Sequence, residues 1–370
     1  MGSLIGRGRN GCTCGLISCI MVAAINAAIG HAMSPDTVFA DNPLCRLLGI
    51  RYPICQAGMY QVAYGTLAAA VSNAGGLGVI GSAYMAPERL REEIRLAKSL
   101  TDKPLGVDIL FAKTEGAGET VEAYERECQA HIAVTFEEGV SVIVSGLGNP
   151  GPIVPRAHAA GMKVMALVGT ARQAMAVEKA GVDAVIASGH DGGGHVGRIG
   201  TIALVPRVCD VVRIPVVAAG GLADGRGLVA AMALGAAGVW MGTRFIATTE
   251  ARGHVNYKRR ITEIDEDGTV VTRAHSGKTN RMIRNAFTRS WEGRESEIKP
   301  YPHQLKEVGE PASDAGRIGG DVVNGVLPSG QSAGLIHSIE SAGDVVLNTA
   351  REAARVLERL SIMTRNTDRP

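Results

Sequence analysis

The run Gly189-His190-Asp191-Gly192-Gly193-Gly194-His195-Val196-Gly197 gathers two imidazoles and a carboxylate among glycines, directly after an apolar stretch, Asp183–Ser188. Glycine has no Cβ, so such a loop can press its backbone N–H groups against a flat or anionic ligand. A histidine held there titrates near neutral pH and can exchange a proton with whatever the loop binds. General acid or base is the role that suits His195, with a capping or structural histidine as the alternative. Metal ligation fits poorly, because Gly192–Gly194 denies the two imidazoles a shared helical face and no further ligand cluster is evident. Cys55 and Cys209 lie in apolar surroundings that suit inert thiols rather than nucleophiles.

Two further glycine turns could hold a phosphoryl group. One is Ala218-Ala219-Gly220-Gly221-Leu222-Ala223-Asp224-Gly225, the other Trp240-Met241-Gly242-Thr243-Arg244-Phe245. Each offers amide donors, Thr243 adds a hydroxyl, and amides clustered in this way need no lysine. Gln56-Ala57-Gly58-Met59 ends another apolar run, where small residues would admit a planar ring and Met59 would form a soft wall. Asp108, in Gly106-Val107-Asp108-Ile109-Leu110, is either a polar contact for a ligand or a helix cap. Ala74-Gly75-Gly76-Leu77-Gly78 precedes a strand instead of following one, so it is not a dinucleotide fingerprint.

What must position these residues is a regular alternation of strands and helices. The predicted strands are Pro53–Ala57, Gly78–Gly81, Leu105–Ile109, Ser141–Val144, Lys163–Val168, Asp183–Ala187, Pro215–Ala219 and Gly238–Met241. Helical segments lie between them at Gly65–Asn73, Ala86–Leu100, Thr120–Glu138, Pro150–Ala160, Ala171–Ala180, Ala203–Val212 and Asp224–Leu234. Pro87 opens one helix, and Gly161, Gly181 and Gly235 stop three others. Strict alternation means a parallel sheet, and eight apolar strands suit an α/β fold of the (β/α)8 TIM-barrel kind, with an open doubly wound sheet as the alternative. In a barrel, the loops after the seventh and eighth strands are the usual phosphate site, which is where the two glycine turns fall. The expected organisation is an N-terminal apolar extension over 1–40, the barrel over 41–249, a lid or insertion over 250–335, and a C-terminal helix within 336–370. That helix is placed at Ala342–Leu360. In the lid, Arg273, Lys278, Arg281, Arg284, Arg289 and Arg294 read as a solvated face or as steering for an anionic substrate.

Composition bounds the rest. The chain has 370 residues, 48 of them glycine, with only 4% aromatics, which suits repeated tight turns and small-residue packing. A net charge of +2 gives no nucleic-acid footprint. Seven cysteines without regular spacing read as reduced thiols in a cytoplasmic enzyme. The uncharged stretch Gly11–Gly30, preceded by Arg7 and Arg9, has the character of a secretory signal and is too dilute for a strong membrane span. A start placed upstream of a true beginning at Met33, an anchor, and an ordered helix are the other readings.

Taken together, these residues resemble the nitronate monooxygenase family, formerly called 2-nitropropane dioxygenases, which are FMN-containing TIM barrels. The resemblance runs from about Asn42 to Leu360. It is carried by Tyr52–Met59, Ala69–Gly78, Gly189–Gly197, Ala218–Gly225 and Met241–Phe245. It implies Gln56, Ala57, Gly58 and Met59 along the flavin, and Gly193, with Gly194 beside it, in a flavin-facing loop. Gly221, next to Gly220, would join Trp240, Met241, Gly242 and Thr243 at the FMN phosphate, and His195 would be the catalytic histidine. Ser188 stands where the family usually has Gln and Asp108 where it has Asn; both are kept as cofactor ligands, with Asp108 a potential anion beside the ring. The loop reads Asp191-Gly192-Gly193-Gly194-His195 where the family has Glu-Ala-Gly-Gly-His. Gly330-Gln331-Ser332-Ala333-Gly334 lies in a segment similar to that of the longer family members.

The implied reaction oxidises an alkyl nitronate, or a nitroalkane, with O2 to a carbonyl compound and nitrite. Its partners would be a small-molecule substrate and O2, with neither nucleic acid nor membrane, and a homodimer left open. The closest rival is an FMN-dependent NAD(P)H reductase of enoyl thioesters or quinones, because enoyl-acyl-carrier-protein reductases of the second type resemble the same motifs and Ser99–Val107. A flavin-free phosphate-binding barrel, an aldolase or isomerase, is a third reading. It would want a catalytic lysine at a strand's C-terminal end, and Lys163 instead begins its strand.

Overall fold

Apolar runs of four to seven residues, each closed by a glycine or a polar turn, leave the chain little option but short buried strands joined by amphipathic helices. A computed structural model bears this out; it describes residues 33–111 and 118–365. Eight parallel strands form one sheet: β1 (Ile54–Gln56), β2 (Gly78–Gly81), β3 (Leu105–Phe111), β4 (Val142–Gly148), β5 (Lys163–Val168), β6 (Ala184–Ser188), β8 (Val216–Ala219) and β9 (Gly238–Met241). Their spatial order is β1-β9-β8-β6-β5-β4-β3-β2. A parallel bridge from Cys55 to Leu77 brings the two ends together. The Gln56 side chain adds to that seam by accepting the Val79 N–H at 3.1 Å and donating to the Val79 carbonyl at 3.1 Å. The fold is a (β/α)8 TIM barrel.

Both faces of the strands are buried, so alternate residues serve two cores. Val142, Val144, Ile186, Val217 and Trp240 fill the barrel interior, with Leu44 and Leu48 of a short helix, Pro43–Leu48, packed in the same cluster. Ile143, Val185, Val216, Val239 and Met241 face the helices instead. Gly161, Gly181 and Gly235 take φ of 74°, 94° and 96° and end the preceding helices, as expected of left-handed stops. Asp224 caps the helix Gly225–Ala233 by accepting the Gly227 N–H at 3.0 Å. A helix at Pro35–Phe39 buries Phe39 in the outer core. The signal-like reading of Gly11–Gly30 lies outside the described residues. Among the described residues no helix is long and apolar enough to cross a membrane.

The lid is more ordered than its weak periodicity suggests. A helix, Val255–Glu263, leads into an antiparallel pair, β10 (Thr269–Thr272) and β11 (Asn280–Ile283), which shares a small core of Ala274, Met282, Phe287 and Val326. Wide π-helical turns at Leu305–Gly309 and Asp314–Ile318 flank the turn Glu310–Ser313. A third strand joins this sheet from the barrel: β7 (Gly194–His195) pairs antiparallel with β11, placing His195 opposite Asn280. The C-terminal helix runs Ala342–Arg365, five residues past its expected end at Leu360, because Ser361–Arg365 contains no Gly or Pro to stop it. It packs on the Gly225–Ala233 helix, and its Glu352 accepts the Gly225 N–H at 2.8 Å.

Candidate active site

The C-terminal ends of the barrel strands and the underside of the lid enclose a cavity with roughly 1350 Å³ of empty space, part of it open to solvent. Thirteen of the fifteen residues singled out in the sequence line it: Ala57, Gly58, Met59, Asp108, Ser188, Gly193, Gly194, His195, Gly220, Gly221, Trp240, Gly242 and Thr243. Gln56 and Met241 do not. Gln56 is spent on the barrel seam, and Met241 points into the helix layer because its neighbour Trp240 points into the barrel.

Within the glycine loop the three polar side chains separate. His190 Nδ1 bonds the Gly197 carbonyl at 2.8 Å, closing the loop on itself. The Asp191 carboxylate accepts the Thr201 N–H at 2.9 Å and so anchors the start of the helix Thr201–Cys209. Burial pulls its pKa up, but the Thr201 hydrogen bonds and the charges of Arg281 and His190 outweigh that and hold it below the usual carboxylate range. Only His195 faces the cavity. Its Nε2 lies 2.9 Å from Ser276 Oγ, and its ring centroid lies 6.3 Å from that of His275. Burial, followed by the nearby positive charges of Lys278 and Arg317, pushes its pKa down to about 4, so the imidazole is neutral at physiological pH.

Asp108 is not a helix cap; it sits within β3 at the cavity wall, and Gly58 and Gly146 leave it room. Nor is it an anion at neutral pH. Burial raises its pKa to about 8 against the opposing pull of the Gly146 N–H, and its Oδ1 has no protein partner. It is therefore a carboxylic acid with hydrogen-bonding capacity to spare. Gly220 and Gly221 both take positive φ, 101° and 73°, which turns successive backbone amides at the end of β8. Thr243 Oγ1 accepts the Gly330 N–H at 2.9 Å, leaving its proton free to donate. Arg244 next to it is buried and donates to the carbonyls of Ala247 and Ser338, so no cation comes from this turn.

Much of the cavity roof was missed in the sequence. Tyr60, Tyr84, Tyr257, His275, Asn280 and Arg317 all line it. Tyr84 is, among the described residues, one of two non-glycine residues with positive φ, at 56°, and its hydroxyl lies 3.1 Å from that of Tyr301. The Asn280 Nδ2 donates to His275 Nδ1 at 3.2 Å, while its Oδ1 is buried without a partner. Of the basic residues expected on a solvated face, Arg273, Arg284, Arg289 and Arg294 are exposed, but Arg281 is buried, its Nε bonded to the His190 carbonyl at 3.1 Å. Gly330–Gly334 has the Gly-x-Ser-x-Gly spacing of a nucleophile elbow, yet Gln331–Leu335 is a 3-10 turn with no strand before it, which removes the context that motif needs.

The model of the nitronate monooxygenase family matches residues 41–351. The chain is 34% identical over 362 residues to a (3aS,4S,5R,7aS)-5-hydroxy-7a-methyl-1-oxo-octahydro-1H-indene-4-carboxyl-CoA dehydrogenase of Mycobacterium tuberculosis, covering 87% of this chain and 98% of that one. It is 35% identical over 348 residues to a probable nitronate monooxygenase of Staphylococcus saprophyticus, covering 85% and 98%. Among solved structures, FabK from Thermotoga maritima superposes with a TM-score of 0.78 at 40% identity, covering 86% of this chain and 97% of the other.

Proposed function

The chain belongs to the nitronate monooxygenase family and is an oxidoreductase, and on that premise we propose that it is an FMN-dependent enzyme oxidising alkyl nitronates with O2 to carbonyl compounds and nitrite. The observation that carries this reading is His195, a neutral imidazole on the wall of a cavity that Gly220 and Gly221, both at positive φ, also line. The residues fit a flavin mononucleotide. The amides of Gly220 and Gly221 and the Thr243 hydroxyl suit a phosphoryl group, and the partnerless Asp108 Oδ1 and Asn280 Oδ1 suit a ligand with polar edges.

When bound, FMN supplies the electron acceptor for the substrate and the route of electrons to O2. The protein's own part is positional and protonic. Ala57, Gly58 and Met59 leave a flat wall free of bulky branched side chains. Ser276 fixes one nitrogen of His195, so the ring is held in a set orientation. Being neutral, His195 can take a proton from a nitroalkane or hold a nitronate oxygen by a ring N–H. The lid limits the access of water to these groups.

A second reading is favoured by the similarity to FabK and to the mycobacterial CoA dehydrogenase: an FMN-dependent NAD(P)H reductase of enoyl thioesters or quinones. Anaerobic mixing separates the two. Bleaching of the flavin by ethyl nitronate but not by NADPH is the expected result; rapid bleaching by NADPH would favour the reductase. A purified protein without flavin absorbance would remove both.

A further inference from the structure

We infer that Arg317 is the residue by which this site recognises its substrate, its guanidinium edge binding a planar, two-oxygen anionic head such as a nitronate or carboxylate. The inference rests on the cavity being the active site, and adds to it a specificity residue supplied by the lid. Arg317 lies in the wide turn Asp314–Ile318, is only 5% exposed, and lines the cavity. Its Nη1 donates to the Tyr60 carbonyl at 3.0 Å, and its guanidinium carbon lies 5.2 Å from the centre of the Tyr60 ring. Those contacts fix the plane of the guanidinium and leave its Nε–Nη2 edge without a protein partner, with Nε fully buried.

Among the described residues no carboxylate lies within 4 Å of Arg317. Asp314, one turn earlier, is exposed and is engaged by the Gln61 side-chain amide; its charge favours the guanidinium but forms no ion pair with it, and burial outweighs it. The other titratable groups at this end of the cavity do not compensate it either. His195 and His275 are both held neutral, and Lys278 adds positive charge. Guanidinium does not shed its proton within the range where proteins fold. A buried cation that can neither neutralise nor pair inside the protein is stabilised by an anionic ligand. The free Nε–Nη2 edge presents two roughly parallel N–H donors, the geometry that matches two oxygens on one atom and that a lysine could not reproduce.

The test titrates acetate and its neutral isostere acetamide into wild-type protein, Arg317→Met and Arg317→Lys. It follows both the visible absorbance of bound flavin and the melting temperature. Acetate is expected to perturb the spectrum and raise the melting temperature of the wild type where acetamide does neither, and Arg317→Met to weaken acetate binding by about tenfold or more. Arg317→Lys, which keeps the charge and serves if the methionine variant does not fold, is expected to lose affinity several-fold. Unchanged acetate affinity in either variant, or equal binding of acetamide to the wild type, would overturn the inference. In turnover, a raised KM for ethyl nitronate with little change for nitroethane assigns the edge to the reacting head. A loss of acetate binding without that change assigns it to a carboxylate elsewhere on the substrate. A colourless protein would sink the flavin reading alone, since the melting-temperature arm still reports on the arginine.

Discussion

At the scale of single residues, the site depends on holding two titratable groups uncharged. His195 has its pKa pushed down to about 4, so its neutral form is present across the whole neutral range. A reaction needing that form should show kcat/KM flat through neutral pH and falling only toward pH 4. His195→Asn should lower turnover by about 10²-fold while flavin stays bound, measured by steady-state rates beside an absorbance spectrum. Normal rates in that variant would take the histidine out of the chemistry. Asp108 is shifted the other way, to about 8. A raised carboxyl pKa means that the folded state holds a proton that the unfolded chain has released. Asp108 therefore favours folding fully at acid pH, and that contribution is lost as pH climbs from the ordinary carboxylate range through 8. Asp108→Asn should remove this slope, so that its melting temperature changes less than the wild type's between pH 6 and pH 9. A wild type as stable at pH 9 as at pH 6 would contradict the protonated state.

At the scale of elements, what could be read in advance was whatever leaves a local mark. Val142–Val144 and Ala184–Ala187 announce themselves by unbroken apolar composition, and Gly161, Gly181 and Gly235 by the left-handed stop that only glycine makes cheaply. The glycine turns after β8 and β9 were legible for the same reason. Which way a side chain points within a short strand was not, and that is why Gln56 and Met241 were placed at the ligand although one closes the barrel and the other faces a helix. β7 has two residues, and its partner β11 lies some eighty-five positions away, so no local pattern marks it. His275 and Arg317 sit in a charged, weakly periodic stretch and look solvated until the lid folds over. Two substitutions test the loop at this scale. A Cβ at Gly193 would lie 2.7 Å from the Ser329 carbonyl carbon and the Gly330 nitrogen, so Gly193→Ala should push the loop off the lid. The expected cost is roughly 1–3 kcal/mol, read as a lower melting temperature with faster proteolysis within 250–335. Gly221→Val places a β-branched residue at a φ of 73°, with its Cβ 3.2 Å from Asp191 Cβ, at the proposed phosphate rim. It should lose its flavin during purification, and a variant that stays yellow would move the phosphate elsewhere.

At the scale of the whole molecule, barrel and lid are joined across the site by Arg281. It is buried in the lid strand and bonded to the His190 carbonyl on one side and to Thr269 Oγ1, at 3.0 Å, on the other. Arg281→Ala should leave the amide rim and the β7–β11 ladder intact but loosen the His190 end of the loop. Turnover is expected to fall by about tenfold or more while flavin is retained, because a base displaced by an ångström loses much of its effect. Equal rates in wild type and variant would show that the loop holds its shape unaided. The pairing of β7 with β11 reaches further than support. Because β7 pairs with β11, His195 is part of the edge of the covering sheet, and a displacement of that sheet would carry the imidazole with it.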